Sequence, residues 1–333
     1  MSVLYVKEQG AYIQKRRERL VVTKGRQTLL ELPFDNVDGI AVIGNVQITA
    51  QALQILLERG IDVSHFSFSG RFLGSTSADS SKNIFLRLAQ YDLYQDKNQR
   101  QALAGRIVAN KIGNQMEMIS RHRWESGDRE SMDALKEMGK LQEQTAGKST
   151  SNELMGLEGR ASNLYFSQYG RMFTCKCEFH GRNRRPPRDP INVIISLGYT
   201  FLTKEVSSAL EAESFEMYLG FLHGIRYGRK SLPLDIVEEF RQPVIDRMTL
   251  KLFNKGMIQE YDFSTEEDSI TLNEDGFRKF CREFERWMAD PACSGGKTGY
   301  RALIQAQAKN LKRAVQKKEE YCPYSIRKKE EIA

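Results

Sequence analysis

Over the first 73 residues, apolar positions come in short alternating runs at 3–6, 12–14, 20–23, 28–32 and 39–43, with Gly10 and Gly25 between them. Runs of this length and period predict β-strands joined by tight turns. One helix interrupts them, opening at Thr49 as N-cap, carrying Leu53, Leu56 and Leu57, and stopping at Gly60. A last β pair, 63–68 and 72–73, turns at Ser69-Gly70. The run 75–81, Ser-Thr-Ser-Ala-Asp-Ser-Ser, is small, polar and without period, so it reads as a linker between a domain of residues 1–78 and one of residues 79–333.

Beyond the linker the period changes to that of helices. Spans 83–94, 101–121, 131–144, 152–173, 191–212, 215–226, 234–254, 277–288 and 300–320 are expected to be helical, with one β-hairpin near 258–272. The expected class is α+β and multi-domain: a small N-terminal β-sandwich-like domain followed by a larger all-α catalytic domain. No Walker-type loop and no GxGxxG after a strand occur, which argues against nucleotide-binding folds.

At 333 residues, 40% hydrophobic and 28% charged, the chain has the composition of a globular protein with room for two cores. No window approaches 18 consecutive apolar residues and the N-terminus lacks the apolar core of a secretory signal, so no membrane and a cytoplasmic location are expected. The net charge is +7, and four arginines, Arg182, Arg184, Arg185 and Arg188, crowd a loop that Pro186 and Pro187 keep from being helical. Such a patch suits a polyanion, or is a solvated loop without a role. The basic run Arg327-Lys328-Lys329 reads as a solvated end. Five scattered cysteines argue against a disulfide framework. Cys175, Cys177 and His180 lack a fourth zinc ligand at regular spacing, which favours reduced, half-buried thiols.

The polar residues that sit oddly in this pattern are acidic and imidazole groups. Helical spacing puts Glu158 on one face with Leu154, Ala161 and Tyr165, and a carboxylate on an apolar face needs a partner. His223 follows Leu219 by one turn and is flanked by Gly220 and Gly224, small residues that admit another backbone or a ligand. Asp235 and Glu238 stand three apart on a helix opened by Pro233, which points both carboxylates the same way. Asp246 returns near that face, although Pro243 between them is expected to kink the helix. Carboxylates with an imidazole suit a hard divalent cation, Mg²⁺ or Mn²⁺, and the arginine loop suggests phosphodiester chemistry on nucleic acid. Spacing alone leaves the third ligand open among Asp235, Glu238 and Glu239, and leaves open whether the acidic helix face is only solvated.

Several segments together resemble the CRISPR-associated protein one family, the integrases of spacer acquisition. They are Leu157-Glu158-Gly159-Arg160-Ala161, the stretch from Asn183 to Asn192, Leu197-Gly198-Tyr199, Gly220-Phe221-Leu222-His223, Leu234 to Arg241, and Asp246-Arg247. The resemblance implies a metal site of Glu158, His223 and Glu238, holding Mg²⁺ or Mn²⁺, with Asp235 as an accessory carboxylate. Many members have aspartate where Glu238 stands. It also implies a homodimer formed through the β domains, two such dimers flanking a dimer of a small ferredoxin-like companion, CRISPR-associated protein two. The DNA partners would be a short protospacer duplex and the CRISPR repeat, joined by transesterification as a 3′-hydroxyl attacks a repeat phosphodiester. Arg182, Arg184, Arg185 and Arg188 are the candidates for DNA contacts, and Arg241 is divided between a DNA contact and a brace for the site helix. Two rivals stand beside this reading: a metal-dependent endonuclease of branched or single-stranded nucleic acid, and a non-catalytic DNA-binding scaffold.

Overall fold

The computed structural model describes residues 2–78, 83–122, 124–125, 128–147, 150–175, 177–183, 187–266, 269–317 and 319–326. The chain folds as two compact units, 1–80 and 81–333.

The first unit is built from strands β1 (Ser2–Val6), β2 (Ala11–Arg16), β3 (Arg19–Lys24), β4 (Gln27–Pro33), β5 (Val37–Ile43), β6 (Val46–Ile48), β7 (Asp62–Phe66) and β8 (Phe72–Thr76), with helix α1 (Ala50–Glu58) before β7. They form two four-stranded sheets, ordered β1-β5-β7-β8 and β4-β3-β2-β6. In the first sheet β5 runs parallel to both β1 and β7, and β8 closes it antiparallel. In the second, β3 lies antiparallel between β2 and β4, while β6 is parallel to β2. Both sheets and α1 drain into one core, with Ile13, Leu20, Val22, Phe34, Ile40, Val42, Leu56 and Val63 buried together. That is the sandwich-like arrangement expected. The three-residue strand β6 has no sequence signal of its own.

The second unit contains α2 (Ile84–Gln95), α3 (Lys97–Arg121), α4 (Arg129–Glu143), α5 (Ser151–Gly170), α6 (Pro190–Ala212), α7 (Ser231–Val237), α8 (Arg247–Asn254), α9 (Glu274–Ala289), α10 (Pro291–Ser294) and α11 (Tyr300–Lys317). A hairpin of β9 (Phe263–Glu266) and β10 (Ser269–Leu272) lies between α8 and α9, where a β element was expected. Side-chain caps fix the two helices that matter most for the site. Thr150 Oγ1 accepts from the Glu153 amide and the Thr150 N–H donates to the Glu153 carboxylate in return, a capping box opening α5. Asp189 accepts from Asn192 N at 2.7 Å and Pro190 takes the first position of α6. No helix among the described residues is long and apolar enough to cross a membrane.

Two expectations fail here. Residues 213–230 form no helix, so the span 215–226 is loop. The Asp235 carboxylate accepts the amides of Phe221, Leu222 and His223, the last two at 3.0 and 2.9 Å, and backbone donors turned towards one side chain are lost to a helical ladder. The span 234–254 is not one helix either. After α7 the chain passes through a turn and a single π-helical stretch, Arg241–Asp246, before α8 begins. Pro243 lies within that stretch, and its missing N–H explains why the ordinary ladder breaks there.

Candidate functional site

The site gathers side chains from α3, α5, α6 and the two segments just described. Glu158 sits in mid-α5, where Leu154, Ala161 and Tyr165 are fully buried around it, and its own side chain keeps 27% exposure. Glu238 follows the last residue of α7 and is almost wholly buried. The two carboxylates are joined by a residue that is not among the candidates above. Lys111 on α3 hydrogen-bonds Glu158 Oε1 through Nζ, and the same Nζ lies 2.6 Å from Glu238 Oε2. Ser162, one turn on in α5, donates to Glu158 Oε1 at 3.2 Å and receives Gln115 Nε2 at 3.1 Å.

Arg241 completes the charge pattern, with Nη2 3.1 Å from Glu238 Oε1 and its guanidinium 4.6 Å from the centre of the Tyr199 ring. Burial alone would raise the Glu238 carboxyl; Arg241 and Lys111 overcome this and hold it down at about 2. His223 acts in the same direction, which places it within electrostatic reach of Glu238. Arg241 is thus a brace on Glu238, and it also borders the cavity that opens here.

His223 stands on the loop 213–230, within which Gly220 lies against α7. A Cβ on Gly220 would meet Ser231 Cβ at 2.8 Å and Asp235 Oδ2 at 2.9 Å, so the residue has to be glycine for the loop to seat. Gly224 has open space instead. Asp235 is fully buried, and its Oδ1 lies 2.7 Å from His223 Nδ1. Because Asp235 only accepts in this group, Nδ1 is the donor and Nε2 is the ring nitrogen left for a ligand. Asp235 and Glu238 therefore do not point the same way: one orients the imidazole and the loop, the other meets Lys111 and Arg241.

The remaining acids have separate tasks. Glu239 faces the C-terminal segment, receiving the Tyr321 hydroxyl at 2.5 Å and Tyr324 N at 2.8 Å, and burial raises it to about 8. Asp246 receives the hydroxyls of Tyr165 and Tyr199, both at 2.8 Å, while Tyr169 donates to its carbonyl at 2.9 Å. Burial lifts Asp246 to about 6 against those two hydrogen bonds. Gly198 lets α6 approach this stretch, since a Cβ there would meet Ile245 Cγ2 at 2.6 Å.

A cavity of about 240 Å³ opens over Lys111, Glu158, Tyr199, Arg182 and Arg241. Among the described residues, four buried polar atoms in the site, Gln115 Oε1, Glu238 Oε2, Arg241 Nε and Gln242 Oε1, meet no well-aligned hydrogen-bond partner. The 2.6 Å approach of Nζ to Glu238 Oε2 is therefore an ion pair with poorer hydrogen-bond alignment than the one to Glu158. Among the described residues no three His, Cys, Asp or Glu side chains converge tightly enough to hold a metal as they stand. A pair of carboxylates already gathered on a cation, one of their oxygens lacking a well-aligned hydrogen bond, nevertheless fits a hard divalent ion that takes oxygen ligands.

Of the arginine loop, Arg184 and Arg185 lie outside the described residues. Arg182 turns inward, giving Nη1 to Asn192 Oδ1 at 2.7 Å and Nη2 to Ser196 Oγ at 3.0 Å, with Tyr199 5.5 Å from its guanidinium. Arg188 is exposed. Cys175 and Cys177 are free, half-buried thiols, and burial pushes Cys177 up to about 12.

Fold and site together define a two-unit protein with an acidic pair set in basic surroundings. The family model described as CRISPR associated protein Cas1 matches residues 4–286. The chain is 34% identical over 333 residues to "CRISPR-associated endonuclease Cas1 3" of Thermus thermophilus, covering 98% of each. Its fold matches a solved Cas1 protein from Thermotoga maritima with a TM-score of 0.81 at 25% identity, over 95% of this chain and 97% of that one. A chain of a Cas6-RT-Cas1–Cas2 complex matches with a TM-score of 0.83 at 26% identity, over 98% of this chain and 36% of that one. The chain belongs to the Cas1 family.

Proposed function

We propose that this protein is the DNA integrase of CRISPR adaptation, joining the 3′-hydroxyl ends of a short protospacer duplex to the CRISPR repeat by transesterification. Family membership supports a Cas1-type endonuclease or integrase. The observation that carries the finer reading is the meeting of Glu158 and Glu238, from separate helices, on one cationic group beside a cavity bordered by Arg182 and Arg241. Kinship with a chain solved in a Cas6-RT-Cas1–Cas2 complex supports a Cas2 companion, and the protein is proposed to act as a homodimer with it.

Glu158, Glu238 and His223 Nε2 are the groups that would hold Mg²⁺ or Mn²⁺. Such an ion, when bound, supplies Lewis-acid stabilisation of charge at a phosphodiester. Asp235 keeps the imidazole in the right tautomer and aims it. Arg241 holds Glu238 from behind and, with Arg182, gives the cavity a positive wall suited to DNA phosphate. Tyr199 supports both guanidiniums with its ring and ties α6 to Asp246 with its hydroxyl. The Arg188 side chain, exposed on the loop before α6, is placed to track the backbone of a duplex.

Incubation with a labelled 3′-hydroxyl duplex, a supercoiled repeat-bearing plasmid, the Cas2 companion and Mn²⁺ tests this. Covalently joined label is expected. Cleavage without joining would favour the nuclease, and DNA binding without either reaction would favour the scaffold.

A further inference from the structure

Among the described residues, Lys111 is a buried charged group of the site that the proposed reaction leaves without a task. Its side chain is 5% exposed, and its ammonium lies between the two carboxylates that the metal reading requires. Lysine is rarely buried without a reason, because removing an ammonium from water is costly. Here the reason is the carboxylate pair, since two buried negative charges side by side repel strongly in a low dielectric.

The local charges decide what this means. Glu158 and Glu238 are negative, Lys111 and Arg241 positive, so the four groups sum to zero. A neutral cluster leaves Arg182 as the only excess charge among these lining groups to draw a phosphodiester into the neighbouring cavity. If a divalent cation takes the place between the carboxylates, the same set carries two positive charges. Both Nζ and Arg241 are then released from neutralising carboxylates, and the cavity that Lys111 and Arg241 line becomes an anion receptor. The contacts of Nζ favour such an exchange: it is shared between the two carboxylates, well aligned on Glu158 and less well on Glu238 Oε2. Lysine also suits the part, being a point charge on a flexible stem that can swing as an arginine fork cannot.

We propose that Lys111 is the resident counter-cation of the Glu158–Glu238 pair, exchanged for the divalent ion on loading and then turned into the cavity to meet the DNA phosphate. The inference rests on Glu158 and Glu238 being metal ligands. No electron moves, and Nζ keeps its protons throughout: two ion pairs open and the carboxylates close on the incoming ion. The reacting phosphate settles in the cavity after the metal as a consequence, because its receptor there is completed only by the exchange, whereas the duplex is held on the outer basic surface in either state. The same ammonium lets the chain fold before any metal arrives.

The test is Mn²⁺ binding followed by electron paramagnetic resonance, with melting in EDTA and in Mn²⁺, for the whole chain and its Lys111→Met variant. The variant is expected to melt below wild type in EDTA, to gain more from Mn²⁺, and to bind Mn²⁺ about tenfold more tightly because no ion pair has to open. A purely structural lysine would lower the melting point without tightening Mn²⁺. If wild type binds Mn²⁺ and the variant binds it equally or more weakly, the exchange is overturned and the metal reading survives. If wild type binds no Mn²⁺, the metal reading itself fails. A variant that folds only with Mn²⁺ supports the exchange, since the ion has then replaced the ammonium; one that folds in neither buffer overturns it.

Discussion

His223 Nδ1 and the backbone amide of His223 converge on the same oxygen, Asp235 Oδ1, at 2.7 and 2.9 Å. One carboxylate thereby sets both the ring and the chain that carries it. Asp235→Asn puts a donor where the ring also donates, so the imidazole is expected to turn and strand joining to fall by about 10–100-fold, the usual cost of losing such an orienting partner. Joining rates alongside the ¹⁵N shifts of the His223 ring check this. A ring that keeps its tautomer with an unchanged rate would sink the orienting role.

His223→Ala removes one ligand and leaves the basic wall in place. Joining should be lost while duplex affinity and melting temperature stay close to wild type. The readouts are a joining assay, a duplex titration and a thermal melt on the same preparation, and joining at the wild-type rate would remove His223 from the chemistry.

Arg182 and Arg188 should part company on substitution. Arg188→Ala is expected to reduce the salt slope of DNA binding by about one unit, the mark of a lost phosphate contact. Arg182→Ala, besides weakening the cavity's positive wall, should cost about 1–3 kcal/mol of stability, because Asn192 and Ser196 lose their charged partner. Salt titrations and denaturant unfolding of both variants decide, and an unchanged slope for Arg188→Ala returns that residue to the solvated surface.

Burial raises Glu239 from the ordinary 4.5 to about 8. The folded chain therefore holds this proton where the unfolded chain has released it, and linkage makes its contribution to stability fall as pH rises from about 4.5 to about 8. Glu239→Gln has no proton to lose. Its stability relative to wild type should improve across that window, as measured by urea unfolding at either end of it. A constant difference at both ends would contradict the assignment.

Tyr199→Phe should destabilise by about 1–3 kcal/mol, since Asp246 is fully buried and loses one of its two hydroxyl donors. The loss is expected to shrink below about pH 6, where Asp246 takes up its own proton. Urea unfolding of both proteins on either side of that pH checks it, and a loss that stays the same would contradict the role of the charged carboxylate.

The strands and most helices were legible because their periods are long enough to register burial. Glu158 was legible for the same reason, as a carboxylate on the face of Leu154 and Tyr165. Lys111 carried an equal signal, a charge between the buried Ile107, Val108 and Ile112 of α3, and the same reasoning applied to that helix would have found it. What the period misled was the loop 213–230. Its apolar residues Phe215, Leu219 and Leu222 stand at helical intervals in the sequence, but burial takes in Met217 and Phe221 as well and leaves Tyr218 exposed, because the backbone is shaped by Asp235, which lies twelve residues beyond His223, and such a contact leaves no periodic trace. The turn at Arg241–Asp246 was half legible: Pro243 announced a break, not that the break would aim Asp246 at three tyrosines.

The attachment of Glu239 to Tyr321 and Tyr324 has a consequence for the order in which the molecule assembles. These bonds span 82 and 85 residues, and Asn114 accepts from Ile326 across 212. Contacts so distant along the chain form late. The peptide beside Glu238 is thus clamped only when residues 321–326 have been synthesised and have returned to α3, so a chain still on the ribosome can hold its helices while the acidic pair lacks its final seat.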